Sequence, residues 1–163
     1  MKLKIERVGM LSIQKQKLDI TDPGYDKDVW CRLERPIFAG EYNCFIGKDK
    51  YNRIYALILL SKDIDFDDKR LKVTEDGSIG VDSGTAGFFV NKPDYSDKEW
   101  SEVCEYLFGN KEDTRQNKNF WLTDEHTPLK CQSFFSFSGM GDGVYDLYRI
   151  TKNRKIVGYK LVL

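Results

Sequence analysis

Apolar and polar residues alternate from the first positions of the chain: Leu3 and Ile5 against Lys2, Lys4 and Glu6, then Leu11 and Ile13 after Gly9. A period of two is the signature of half-buried strands, because successive side chains leave a strand on opposite faces. Tyr42, Cys44 and Ile46 repeat the pattern. After a polar turn at Gly47-Lys48-Asp49-Lys50 the run Ile54-Tyr55-Ala56-Leu57-Ile58-Leu59-Leu60 is continuously apolar, which predicts a strand covered on both faces. Residues 61 to 76 mix Asp63, Asp65, Asp67, Asp68, Glu75 and Asp76 with lysines, the composition of a solvated loop leading to an edge strand. The last third returns to strands at Cys131 to Phe137, Val144 to Thr151 and Ile156 to Leu163. Lys152-Asn153-Arg154-Lys155 joins the final two, and a C-terminal antiparallel meander is the expectation.

One helix is well signalled. Ser96 stands at an N-cap position and Glu99 three residues later completes a capping box, while Gly109 marks the end of a helix over about 97 to 108. Trp100, Val103, Cys104, Leu107 and Phe108 then form one apolar stripe that must lie against a sheet, with Tyr95 and Trp100 placed as a hydrophobic staple. A shorter helical turn is predicted after Asp26, carrying Val29, Trp30 and Leu33 on one side. Residues 110 to 118 contain no large apolar side chain and are predicted to form a surface loop. The chain is thus an α+β domain, mainly β. Its antiparallel sheets form a sandwich or an open barrel with one amphipathic helix packed on it, and residues 1 to 163 make a single domain.

Size and charge narrow this little further. A chain of 163 residues is long enough for one core, and 26 basic against 26 acidic residues leave no net field to favour nucleic acid or an anionic membrane. The charged N-terminal alternation is neither a signal peptide nor a transmembrane segment, which places the protein in the cytoplasm. Cys31, Cys44, Cys104 and Cys131 are scattered, with one histidine in the chain, so free buried thiols are expected rather than a zinc site.

Candidate chemistry gathers in three turns, each with an aspartate: Asp22-Pro23-Gly24-Tyr25 with Trp30 and Cys31 downstream, Gly80 to Gly87 around Asp82-Ser83-Gly84-Thr85, and Ser138-Gly139-Met140-Gly141-Asp142-Gly143 before Tyr145. Brought to one end of a sheet, Asp22, Asp82 and Asp142 would hold a hard divalent cation, calcium or magnesium, through oxygen ligands. The same turns would alternatively bind a small polar or anionic ligand. Ser83, Thr85, Ser138 and the N–H groups flanking Gly84, Gly139, Gly141 and Gly143 would then be donors, and Tyr25, Trp30 and Tyr145 a stacking face. Asp and Gly are also the ordinary residues of tight turns. Neither glycine-rich segment is a phosphate-binding fingerprint. His126 lies in a polar loop, and nothing in the spacing pairs it with Cys31, Cys131 or Ser83 as a nucleophile.

Ile20-Thr21-Asp22-Pro23-Gly24-Tyr25 leading to Trp30, Gly80-Val81-Asp82-Ser83-Gly84-Thr85-Ala86-Gly87-Phe88-Phe89, and Ser138 to Tyr145 occur in the order found in a family of small bacterial and phage proteins, a domain of unknown function that this chain resembles over residues 20 to 163. The chain differs from that pattern at Gly24, where cysteine is usual, at Val90, where aspartate is expected, and at Met140 in place of tyrosine. The resemblance implies that the three turns belong to one site and a phage or mobile-element association. It implies no activity. The reading is a cytoplasmic small-ligand- or ion-binding or regulatory domain that is not an enzyme. The alternatives are a hydrolase- or transferase-like enzyme using the same aspartates, and a protein-interaction module such as an immunity or anti-defence protein with a protein partner. No nucleic-acid or membrane partner is expected.

Overall fold

The computed structural model describes residues 2 to 109 and 119 to 163, so the loop expected at 110 to 118 lies outside the described residues. Eleven strands and one helix follow in the order β1 (Lys4–Ile13), β2 (Lys17–Thr21), β3 (Leu33–Pro36), β4 (Gly40–Lys48), β5 (Ile54–Ser61), β6 (Leu71–Val81), β7 (Thr85–Val90), α1 (Asp97–Phe108), β8 (Phe120–Thr123), β9 (Gln132–Phe137), β10 (Gly143–Lys152) and β11 (Lys155–Val162). They build a six-stranded sheet in the order β1-β4-β5-β11-β10-β6 and a five-stranded sheet in the order β3-β2-β7-β9-β8, antiparallel throughout and not closed into a barrel. The fold is mainly β, with one short helix.

The alternating residues do what their period requires. Leu11, Ile13, Tyr42, Cys44, Ile46, Leu57 and Leu59 from the larger sheet meet Leu18, Ile20, Phe88 and Phe134 from the smaller one in the core between the sheets. β5 lies within the sheet between β4 and β11, and its other face is covered by side chains: Ile58 and Leu60 pack with Ile150, Phe45 and Ile64 of the connection from β5 to β6. On the outer face of the smaller sheet, Phe89, Trp121 and Phe135 receive Val103 and Leu107 of α1. The molecule therefore has three layers, sheet on sheet on helix.

α1 begins as its sequence dictates. The Ser96 hydroxyl accepts from the Glu99 N–H at 3.2 Å, the Glu99 carboxylate accepts from the Ser96 N–H at 3.2 Å, and the Tyr95 and Trp100 rings stack at 6.3 Å across the first turn. The predicted helical turn after Asp26 does not form. Two successive tight turns closed by Val29 N–H to Asp26 and Arg32 N–H to Val29 replace it, and Trp30 is left 91% exposed.

The C-terminal meander needs a correction. β10 and β11 are a hairpin, but β9 pairs with β7 and β8 in the other sheet. The glycine-rich segment from Ser138 to Asp142 is thus a corner where the chain changes sheets. Residues 82 to 84, between β6 and β7, make the equivalent change in the opposite direction. Gly143 pairs with Val81 and Thr85 with Phe137, so the two corners lie side by side at one end of the sandwich, tied by the Ser138 N–H to the Gly84 carbonyl at 2.9 Å. The loop after β2 reaches the same end, because Thr21 pairs with Gly87.

Candidate functional site

Asp22 follows directly on β2 and is completely buried. Pro23 presets the turn, the Tyr25 N–H closes it on the Asp22 carbonyl at 3.1 Å, and the side chain then points inward. One carboxylate oxygen accepts from the Gly24 N–H at 2.7 Å; the other accepts from the N–H groups of Asp82 at 2.7 Å and Ser83 at 2.6 Å. A buried carboxylate persists when hydrogen bonds replace its lost water, and three charge-assisted bonds do so here. Asp22 thereby fastens the loop of residues 22 to 25 to the corner at 82 to 84.

Tyr25 is fixed at both ends. Its carbonyl accepts from Lys92 Nζ at 3.0 Å and Arg32 Nη1 at 3.1 Å, while Arg32 pairs with the buried Asp19 at 3.2 Å. Its phenol stands against the Asp82 carboxylate and the Cys31 thiol. Burial first, then the hydrogen bond to Asp82 and the neighbouring thiol, push its pKa well above the usual tyrosine range, so the hydroxyl remains a donor to Asp82 at any physiological pH. Gly80 makes room for this arrangement, since a Cβ there would stand 2.8 Å from Cys31 Sγ. Trp100, from the first turn of α1, closes the other side: a Cβ on Gly24 would meet its ring at 2.9 Å. Asp22 also raises the pKa of the Cys104 thiol on the same helix, after burial as the larger cause.

Between these groups lies an open cleft of about 260 Å³ lined by Asp22, Gly24, Tyr25, Asp82, Ser83 and Trp100. Asp82 is exposed in it, and among the described residues no cation pairs with its carboxylate. Two of the sequence's three turns therefore share one cleft. Trp100 is the participant that pattern alone misses: the tryptophan belongs equally to the helix stripe and the staple, and only the packing of α1 over the Asp22 turn shows its second face.

The third turn is a neighbour with different contacts. The Ser138 hydroxyl donates to the Gly141 carbonyl at 2.6 Å, the Tyr145 phenol donates to the same carbonyl at 2.7 Å, and the Met140 N–H donates to Tyr145 at 3.2 Å. Gly141 has φ +83°, a conformation that favours glycine. Ser138 and Tyr145 thus hold the corner's shape. Gly139 lines a separate cavity of about 420 Å³ with Tyr51, Asn52, Arg53, Ile54, Asn119, Phe137 and Ser138. Asp142 and Gly143 are exposed at the turn and its exit. Thr85 is fully buried with its hydroxyl 2.7 Å from that of Ser83, Gly84 takes φ +71° at the crossing, and Trp30 projects into solvent; none of the three lines the cleft.

Two expectations change accordingly. Asp22, Asp82 and Asp142 do not form a shared coordination shell: among the described residues no group of three carboxylate, thiol or imidazole side chains is placed to hold a metal ion, and both Asp22 oxygens already accept backbone N–H bonds. Of the N–H groups expected to cradle an anion, that of Ser83 beside Gly84 points at Asp22, together with those of Gly24 and Asp82, while those of Ser138, Met140 and Gly141 are bonded to the Gly84 carbonyl, Tyr145 and the Ser138 carbonyl. His126 is exposed on a turn where its N–H donates to Asp124 at 2.8 Å. All four cysteines are free; Cys44 and Cys131 are buried, Cys31 and Cys104 half-buried. No helix among the described residues is long and apolar enough to cross a membrane. No protein-family model, curated protein or solved structure matches the chain.

Proposed function

We propose that this protein is a small-ligand-binding domain and that its ligand sits in the cleft between the Asp22 turn, the Asp82 corner and the start of α1. The observation that carries this reading is an exposed Asp82 carboxylate beside the Tyr25 phenol, in one cleft with Trp100, on a base that the buried Asp22 ties together. Binding sites of this kind combine a concave, partly aromatic wall with a few fixed polar groups.

The reading is tested by titrating a panel of small polar, cationic and anionic compounds against the protein and following the Trp100 indole and the Gly24 and Ser83 amides by NMR. Saturable shifts confined to these groups, lost in Asp82→Asn and Trp100→Leu variants whose melting curves remain cooperative, are expected. Ligand-induced shifts that cluster instead around Arg53 and Gly139 would move the site to the other cavity and overturn the assignment.

A further inference from the structure

We infer that the ligand of this cleft is an organic cation, an alkylammonium or guanidinium group carried on a short apolar stem. The inference rests on the cleft being the binding site and concerns only which chemistry it accepts.

The donors and acceptors lining the cleft decide the sign of the charge. The lining contains two carboxylates, two aromatic rings, a serine and a glycine, with no basic side chain. The backbone N–H groups, which elsewhere make such corners anion sites, are occupied by Asp22 at 2.6 to 2.7 Å. An entering anion would have to displace a buried carboxylate from three bonds and would then face Asp82. Asp22 lines the same cleft, a second carboxylate beside Asp82. A cation is the complementary guest.

The coordination capacity decides its kind. Calcium requires about six to eight oxygen ligands and magnesium a near-octahedral shell. Of the two carboxylates in the lining, Asp22 already accepts N–H bonds on both oxygens, which leaves Asp82. One charged acceptor beside aromatic surface suits instead a cation with N–H donors and an apolar stem. The ammonium or guanidinium would hydrogen-bond Asp82 and lie against Trp100, the aromatic side chain with the strongest cation–π attraction. Tyr95 stacks behind Trp100 and itself carries Lys92 Nζ 4.5 Å from its ring centre, so the same element already shows this pairing internally. A volume of about 260 Å³ limits the buried part of the guest to a head group and a few carbons.

The test compares n-butylammonium, methylguanidinium, n-butanol, butyrate, calcium and magnesium at constant ionic strength, reading the Trp100 indole N–H and the Gly24 and Ser83 amides. Saturable shifts from either organic cation, at least about tenfold weaker in Asp82→Asn and in the neutral butanol, are expected, as the loss of a charge-assisted bond implies. Butyrate or a divalent metal saturating these signals while both organic cations leave them unmoved would overturn the inference and leave the cleft standing as a site. If none of the six probes moves these signals, the inference fails. The binding reading fails with it only if the wider panel also leaves the cleft silent.

Discussion

Asp22 faces inward, where its residue type is least common, and the reason is geometric. Aspartate after a strand and before Pro-Gly is legible as a turn former that caps its own backbone, and the bond to Gly24 N–H two residues on is that local feature. The bonds to Asp82 and Ser83 join positions 60 and 61 residues away, and no local pattern announces them. Asp22→Ala would remove the buried acceptor of three part-buried N–H groups and is expected to cost about 3 kcal/mol in urea unfolding, the scale of losing charged hydrogen bonds. A cost below about 0.5 kcal/mol, the size of an ordinary surface substitution, would show that Asp22 is not the clamp described. Gly24 offers a second check. Its backbone conformation admits other residues, but the Trp100 ring stands 2.9 Å from its absent Cβ. Gly24→Ala is therefore expected to push Trp100 aside, destabilising by about 1 to 3 kcal/mol as overpacking does and shifting the intrinsic tryptophan fluorescence.

Among elements, those with strong local signals were legible and those defined by pairing were not. The Ser96 capping box and the stripe of α1 follow from sequence spacing, as do β4, β5, β10 and β11 from apolar period. β7 looks like part of a turn because Gly84 and Gly87 bracket Thr85 and Ala86, yet every one of its residues is buried. Gly87 is there because a Cβ would lie 2.2 Å from the Phe134 carbonyl oxygen of β9, a requirement that only strand pairing creates. β2, β3 and β8 are short and lack a clear alternation. The hairpin of β10 and β11 yields a prediction of its own. Asn153 and Arg154 take φ +51° and +66°, the left-handed values of a two-residue turn in which glycine is the preferred second residue. Arg154→Gly should raise stability by up to about 1 kcal/mol, the cost of holding a side chain there, and an unchanged or lower melting temperature would contradict it. For α1, the hydrogen bond from Lys130, with further bonds at Ser96, holds the Glu99 carboxyl down to about 2. A depressed folded-state pKa gives stability that is present above the ordinary glutamate value of 4.5 and is lost as pH falls toward 2. Glu99→Gln should flatten that acid limb of a thermal-melt series.

At the scale of the whole molecule, alternation reveals which face of a strand is buried but not which strand lies beside it. The sandwich and the helix were therefore legible, while the crossings between sheets, at 82 to 84 and 138 to 142 among them, were not. Those crossings place the Asp22 turn against Asp82 and keep Asp142 out of the cleft. The same topology buries a cationic cluster under the segment joining β7 to α1, where Lys92 is 7% exposed. Its amine donates to the carbonyls of Tyr25 and Pro93, with Arg32, Asp94, Asp26, Cys131 and the Tyr95 ring around it. Burial first, and repulsion by Arg32 second, lower its pKa from 10.5 to about 8. In the folded protein the proton leaves near pH 8, whereas the unfolded chain keeps it to 10.5, so between these values the unfolded state binds more protons and stability rises with pH. The gain is bounded at about 3 kcal/mol by the linkage relation. From about pH 9 the thiols of Cys44 and Cys131, raised by burial above their ordinary value of 9.0, oppose it, and above pH 10 the tyrosines reverse it further. Tyr42, pushed up to about 12 by burial, keeps its proton when folded and loses it when unfolded, as do Tyr95 and Tyr159. Urea unfolding from pH 7 to 11 should therefore show stability climbing to a maximum near pH 9, where the thiol reference value lies, and then falling. Lys92→Met should remove the rising limb and leave the fall. A wild-type profile that declines steadily from pH 8 would mean that Lys92 keeps its charge in the folded state and that the cluster is better compensated than its geometry indicates.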